Sequence, residues 1–396
     1  MSGEQLQAVV IGAGWAGEGH TLALQHNGVH VQAICARDKQ TIEAVAERLG
    51  VPEASTDWRT TLETVRPDIV SLATPAALRR EPVEVAAGLG CHILCEKPLA
   101  PTGPEAKALL EIVERAGIVH AYAATGRYRP HVAWMSELVE QGAIGDLYEI
   151  DVLERQAQPF PPMMPWGWWS SFRAGGGWLN QTTTHMLGML ETIVGGPVRR
   201  AVGETLRVHE RAPVIPGIHD FRQLMRGEIP PVEDPAALAW REVDIDEAAS
   251  VLLTLDTPRR AGGRVLARQA VGALVTATTP PEGWYLYGAE GTLTASWSGQ
   301  GAGGVKLQSG PQADPEELPV PERLIEAHPH MEGRLGPGQI SNPYTWWAAL
   351  VQDFLADIEG RSHDPYLTFH DGWRYQEVID AVRSGEGWRK IPAPST

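Results

Sequence analysis

The chain has 396 residues, with 33 lysines plus arginines against 49 aspartates plus glutamates, for a formal net charge of −16. Hydrophobic residues are 43% and charged residues 21%, the composition of a globular protein long enough for two domains, not of a disordered chain. A surface this acidic repels phosphate backbones and anionic lipid, which argues against nucleic-acid and membrane partners, and no apolar run approaches the roughly 20 residues of a membrane helix. Residues 1–7 carry no basic segment before the short apolar run at 8–11, so no secretory signal is predicted. The three cysteines, Cys35, Cys91 and Cys95, are an odd, sparse set that points to reduced thiols in the cytoplasm. Cys91 and Cys95 have no His/Cys pair at zinc spacing, so no metal is predicted.

In chain order, β-branched runs at 9–11, 29–35, 69–73, 92–95 and 119–124 alternate with helical stretches, among them 41–49 and 102–116. The second of these opens on Thr102-Gly103-Pro104-Glu105, a capping box in which Thr and Glu satisfy first-turn N–H groups. Such alternation predicts a parallel, doubly wound sheet. After about residue 126 the pattern changes. A helix over 132–140, stopped by Gly142, is followed by strand-like runs at 147–153, 249–255, 265–275 and 284–293, which suit a mainly antiparallel sheet with a helix or two on one face. Two Pro-rich stretches, 211–235 and 310–343, read as lids, arms or disordered segments. No internal repeat is visible.

The first strand runs into Gly12-Ala13-Gly14-Trp15-Ala16-Gly17. A strand–GxGxxG–helix succession predicts a dinucleotide site: Gly12 for the tight turn, Gly14 for approach of a pyrophosphate, Gly17 for close helix packing. The helix N-terminus, with Trp15 and Ala16, supplies the donors. The end of the second strand reads Cys35-Ala36-Arg37-Asp38. A small residue followed by Arg37 favours a ribose 2′-phosphate and so NADP(H); in the other reading Arg37 is solvated, Asp38 holds the ribose hydroxyl, and the cofactor is NAD(H). Ligands of doubly wound sheets lie beyond the carboxyl ends of the strands, which collects Gly12–Gly17, Arg37, Thr74-Pro75, Glu96-Lys97-Pro98 and Thr125-Gly126-Arg127 along one edge. There Lys97 is either an acid/base group with a pKa lowered by burial or a neighbouring cation, or a surface lysine paired to a carboxylate.

The stretch Gly90-Cys91-His92-Ile93-Leu94-Cys95-Glu96-Lys97-Pro98-Leu99-Ala100 resembles the EKP signature of the Gfo/Idh/MocA oxidoreductases. Other motifs of that family occur in order: the N-terminal glycines, Thr74-Pro75, Arg127-Tyr128-Arg129-Pro130, Gly142-Ala143-Ile144-Gly145, Gly175-Gly176-Gly177 with His185, Gly288-Ala289-Glu290-Gly291-Thr292, and His370-Asp371-Gly372-Trp373. The resemblance implies an α/β protein with an N-terminal Rossmann doubly wound parallel sheet over 1–126. A C-terminal α/β domain over 127–396 would carry a large, mostly antiparallel sheet, with a helix at 374–384 packing back on the first domain. That second domain would carry the substrate pocket and commonly the oligomer interface, making a homodimer or homotetramer. The implied activity is hydride transfer between a nicotinamide and a sugar or cyclitol hydroxyl. Glu96 and Lys97 would stand beside the cofactor, Lys97 near the reacting hydroxyl. His185 would act as general base or position the substrate.

The chain departs from the family pattern where it matters. Gln181 stands where an Asp usually precedes the histidine by four residues; Gly188, Ala76 and Leu78-Arg79-Arg80 replace other habitual polar residues. Gln hydrogen-bonds but accepts no proton. Either Lys97 and His185 suffice, or Tyr128 shares the proton work, or the chemistry has changed. Trp166, Trp168, Trp169 and Trp178 crowd the approach to the triple glycine; such faces suit a sugar or aglycone, or else fill core or interface. Arg173 would hold a substrate group or pair with an acid. His20 reads as packing, and His328-Pro329-His330 as loop. The main expectation is an NAD(P)-dependent dehydrogenase for a sugar, cyclitol or glycoside. Redox-neutral glycoside cleavage through transient oxidation and elimination, and a non-catalytic NADP(H)-binding sensor or scaffold, stand as alternatives.

Overall fold

A computed structural model describes residues 5–157, 164–218, 223–224, 229–259, 263–275, 282–296, 304–327 and 343–394. In β1 (Gln7–Ile11), Ala8 and Val10 face one side, Val9 and Ile11 the other, and all four are buried. A strand without a polar face needs cover above and below, which a parallel sheet between helices provides. β1 lies in a six-stranded, wholly parallel sheet with β2 (His30–Cys35), β3 (Glu53–Ser55), β4 (Ile69–Leu72), β5 (His92–Glu96) and β6 (His120–Ala123), in the order β3-β2-β1-β4-β5-β6. The order reverses between β1 and β4, and the crevice beyond their carboxyl ends is where such sheets bind ligands. The helix Gly103–Ala116 is capped by Thr102, whose oxygen accepts the Glu105 N–H at 3.4 Å. The Glu105 carboxylate differs from the predicted box: it takes the Thr102 hydroxyl at 2.9 Å instead of the Thr102 N–H.

The second sheet has nine strands: β7 (Leu147–Ala157), β8 (Val198–Leu206), β11 (Ala248–Thr257), β12 (Gly263–Val275), β13 (Gly283–Gly288), β14 (Thr292–Ser296), β15 (Val305–Gln308), β16 (Glu316–Leu318) and β17 (Arg389–Lys390). Their order is β16-β15-β14-β13-β7-β12-β11-β8-β17, antiparallel except for the β7–β12 pair. β9 (Arg211–Pro213) and β10 (Trp240–Glu242) form a separate ribbon. The run predicted as one strand over 284–293 is two, reversed at a turn where the Gly288 N–H reaches the Gly291 carbonyl. Of the two Pro-rich stretches, β9, β16 and a short helix, Glu322–Ile325, are described; the rest lies partly outside the described residues, as do His328 and His330.

Two C-terminal helices return to the first sheet. The helix Pro343–Ile358 covers one of its faces, with Trp347 set against Gly19 of the helix Trp15–His26; a Cβ at Gly19 would come within 2.1 Å of that ring. The helix Phe369–Arg383 joins the sheets: Gln376 and Asp380 bond the backbone of Pro101 and Gly103, while Arg374 pairs with Glu191 and Arg383 with Asp246. Among the described residues no helix is long and apolar enough to cross a membrane. The three cysteines are free and buried.

Candidate active site

Gly12 has φ +118°, and a Cβ there would meet the Ala73 carbonyl oxygen at 2.5 Å; a Cβ on Gly17 would lie 1.8 Å from the Gly12 oxygen. These two glycines weld the turn to β4 and to the helix behind it. Gly14 is the N-cap and brings no side chain to the first-turn N–H groups of Trp15, Ala16 and Gly17, leaving an anion-binding helix end that fits a pyrophosphate. The Trp15 ring, 40% exposed, stands edge-on to Trp347 at 5.1 Å. At the end of β2, Ala36 is half-buried and Arg37 exposed, while the Asp38 carboxylate caps the next helix through the Thr41 N–H at 2.8 Å.

Lys97 follows β5 directly, and its peptide bond to Pro98 is cis. The loop is held by Arg79, 2% exposed, which donates to the carbonyls of Thr74, Glu96 and Pro98. Behind it Glu96 is buried. Its Oε1 faces His20 Nε2 at 3.2 Å and accepts the Trp347 indole N–H at 2.9 Å, and its Oε2 accepts the Lys97 backbone N–H at 2.9 Å. The second nitrogen of His20 meets Ser71 Oγ at 2.7 Å. Burial opposes the charge on Glu96, but the His20 hydrogen bond and the charges of His20, Lys97 and His185 outweigh it and hold the carboxyl at about 2.

The Lys97 Nζ donates to Gln181 Oε1 at 2.9 Å and to the Gln181 carbonyl at 3.3 Å; the Gln181 amide donates in turn to the Gly175 carbonyl at 3.1 Å. Gln181 sits in a π-helical turn, Leu179–Thr183, a distortion common at functional sites, which runs into the helix Thr184–Val194 carrying His185. Asp246 secures that turn through the Leu179 N–H at 2.7 Å. The backbone N–H of Gly126, just beyond β6, donates to His185 Nδ1 at 3.2 Å. Burial lowers the Lys97 pKa, and the Arg79 charge adds to this against the pull of Glu96, which favours the free amine a base must be. Burial, reinforced by the Lys97 charge, takes His185 to about 3, so its ring is neutral near pH 7.

Hydrogen bonds thus join Lys97 and Gln181 directly and set His185 one helical turn further on. Other predicted residues turn their polar groups elsewhere. The Tyr128 hydroxyl donates to Asp353 at 3.2 Å, and burial raises its pKa well above the ordinary phenol value. Arg173, 62% exposed, pairs with Glu105 at 3.1 Å. Trp169 is buried, with its N–H on the Pro165 carbonyl, and Trp168 stands edge-on to it at 5.9 Å. This segment still approaches the lysine loop, because Gly175 packs on Ala76 and Pro98. Sequence reasoning missed Arg79, Trp347 and the polar role of His20. Arg79 stood only as a departure from the family pattern, and Trp347 carried no motif. Among the described residues no group of three metal-ligating side chains occurs.

A glycine-built anion site at the switch point of a parallel sheet, with a lysine at a neighbouring strand end, defines a dinucleotide-dependent oxidoreductase. The chain belongs to the Gfo/Idh/MocA oxidoreductases: the description "Oxidoreductase family, NAD-binding Rossmann fold" matches residues 6–123, and "GFO/IDH/MocA C-terminal domain" matches residues 132–294. It is similar to the levoglucosan dehydrogenase of Pseudarthrobacter phenanthrenivorans, at 29% identity over 98% of this chain and 99% of that protein. It also resembles the D-glucoside 3-dehydrogenase of Escherichia coli, at 29% identity over 51% of this chain and 58% of that one. A levoglucosan dehydrogenase solved with NADH and levoglucosan shares the fold, with a TM-score of 0.75 at 23% identity over 98% of this chain and 100% of that one.

Proposed function

We propose that the protein is an NAD(P)-dependent dehydrogenase that moves a hydride between a nicotinamide and a hydroxyl of a sugar, cyclitol or glycoside. The observation that carries this reading is the Lys97 amine, held by Gln181 at the rim of the dinucleotide sheet one helical turn from His185. The glycine turn and the helix end at Trp15, Ala16 and Gly17 hold the dinucleotide, with Thr74, Pro75 and Glu96 beside it; when bound, the nicotinamide supplies the hydride acceptor or donor. Lys97 and His185 flank the reacting carbinol. Burial and the Arg79 charge suit Lys97 to take the hydroxyl proton in oxidation and return it in reduction. Trp168, half-buried in the segment whose Gly175 packs on the lysine loop, offers a face to a sugar ring. The names of the full-length and half-length relatives, both sugar or glycoside dehydrogenases, support this substrate class. Neither elimination nor a sensor role has an observation of its own.

At the end of β2, the missing carboxylate at Ala36, the exposed Arg37 and the capping duty of Asp38 support a preference for NADP(H) within a family described as NAD-binding. Exposed Tyr148 and Tyr287, on the neighbouring strands β7 and β13, support a homo-oligomer built on that sheet, and a monomeric mass by light scattering would dismiss it. The decisive variant is Lys97→Met. It should lose sugar-dependent nicotinamide reduction while binding NADPH or NADH as tightly as the parent, and unchanged turnover would remove Lys97 from the reaction.

A further inference from the structure

We propose that His185 is a fixed hydrogen-bond donor to the substrate oxygen, held in that role by the backbone of Gly126, and that Lys97 alone exchanges the hydroxyl proton. This rests on the dehydrogenase reading above and divides the work between its two flanking residues.

The decisive donor is the Gly126 N–H. It lies in the first turn of the short helix Thr125–Tyr128, where backbone donors have no carbonyl one turn back. This donor instead points at His185 Nδ1, 3.2 Å away. A ring nitrogen that accepts a hydrogen bond carries a lone pair and no proton, so in the neutral imidazole the proton is on Nε2. The close approach depends on glycine: a Cβ at position 126 would come within 3.2 Å of both His185 Cβ and Met189 Sδ.

The surrounding charges keep the ring in that state. Among the described residues, Lys97 and Arg129 are the cations acting on His185 and Glu96 is the carboxylate acting on it. Glu96 is already engaged by His20, Trp347 and the Lys97 N–H. One helical turn before His185 stands Gln181, where a carboxylate could have drawn a proton onto Nδ1. The Gln181 oxygen is taken up by Lys97 and its amide by the Gly175 carbonyl. A second proton could enter the ring only at Nδ1, where the Gly126 N–H already points.

The step balances without a proton leaving or joining the histidine. In oxidation the carbinol C–H bond breaks, and a nicotinamide held by the turn Gly12–Gly17 would supply the acceptor for its hydride. The O–H bond breaks, its proton passes to the free amine of Lys97, and its electrons form the C=O bond. Throughout, the Nε2–H donates to the same oxygen, which favours the developing negative charge without transferring its proton.

Two measurements test this. Nitrogen-15 NMR of the histidines, with His185→Gln as the assignment control, should show His185 protonated at Nε2 and bare at Nδ1 between roughly pH 6 and 8. The opposite tautomer, or an imidazolium in that range, would overturn the proposal whether or not the protein turns over a sugar. In kinetics, His185→Gln, which keeps an N–H donor, should lose about tenfold or less in kcat/KM. His185→Leu should lose on the order of 10²-fold, with NADPH and NADH affinity retained in both. The ascending limb of the pH profile should stay in place in His185→Gln, because it belongs to Lys97. If that limb vanishes, or if the Gln variant is as poor as the Leu variant, the histidine is a base. Failure of the parent protein to reduce nicotinamide with any sugar would instead count against the dehydrogenase reading.

Discussion

Lys97 owes its place to residues that never touch a substrate. Glu96 binds three parts of the chain at once, through His20 of the first helix, Trp347 near the C-terminus and the Lys97 backbone. Arg79 gathers the carbonyls at the ends of β4 and β5. Arg37 is simpler: exposed and beside Ala36, it is the one feature at the end of β2 that would greet a 2′-phosphate. Arg37→Ala should therefore lower kcat/KM for NADP+ relative to NAD+ by on the order of tenfold, the worth of one charge-assisted phosphate contact. An unchanged ratio would assign Arg37 to solvent. Lys97, His185 and the glycines were legible because each lies in a short contiguous motif. His20, Arg79 and Trp347 were not, because their partners are brought to them only by folding. Gln181 looked like a lost acid in the sequence, yet its side-chain oxygen is the acceptor for the lysine.

At the scale of elements, the π-helical turn Leu179–Thr183 decides where Gln181 and His185 point. Asp246 holds it by accepting the Leu179 N–H, and is itself paired with Arg383 from the helix Phe369–Arg383. Asp246 is 2% exposed in its side chain and Arg383 16%. Breaking one side of such a buried pair leaves an uncompensated charge, so Asp246→Ala should cost about 3–5 kcal/mol in urea denaturation. A loss under about 1 kcal/mol would mean that the pair is solvated and the turn self-supporting. Five of the six parallel strands were readable from their apolar runs, as were the longer strands of the second sheet; β3, Glu-Ala-Ser with no buried residue, was not. β8 escaped notice because Arg199, Arg200 and Glu204 dilute its pattern. The helix Pro343–Ile358 emerges from a Pro-rich stretch, and its burial against Gly19 is set by a helix more than three hundred residues away in sequence.

At the scale of the whole molecule, burial lowers five histidines among the described residues: His120 to about 4, His131 and His185 to about 3, and His92 and His370 in the same direction, all below the ordinary 6.5. The unfolded chain takes up protons on these side chains below 6.5 while the fold excludes them. These histidines therefore withdraw stability as pH drops from 6.5 toward 3–4, by at most about 1.4 kcal/mol per pH unit each, while Glu154, raised by burial to about 7, acts in the opposite sense over the upper part of that range. Imidazole proton resonances of His120, His131 and His185 that titrate near 6.5 in the folded protein would mean that the rings are charged in the fold. The two-sheet architecture was legible from strand spacing, and the family resemblance implied that the helix at 374–384 returns to the first domain; the cover that the helix Pro343–Ile358 lays on the first sheet was not legible. The most direct measurement mixes the protein with NADP+ or NAD+ and a panel of neutral sugars and glycosides, and follows the near-ultraviolet absorbance of the reduced cofactor beside the amount of ketone formed. One reduced nicotinamide is expected for each carbinol oxidised, and none from Lys97→Met. Product accumulating with no net change in the cofactor, or an active Lys97→Met protein, would contradict it.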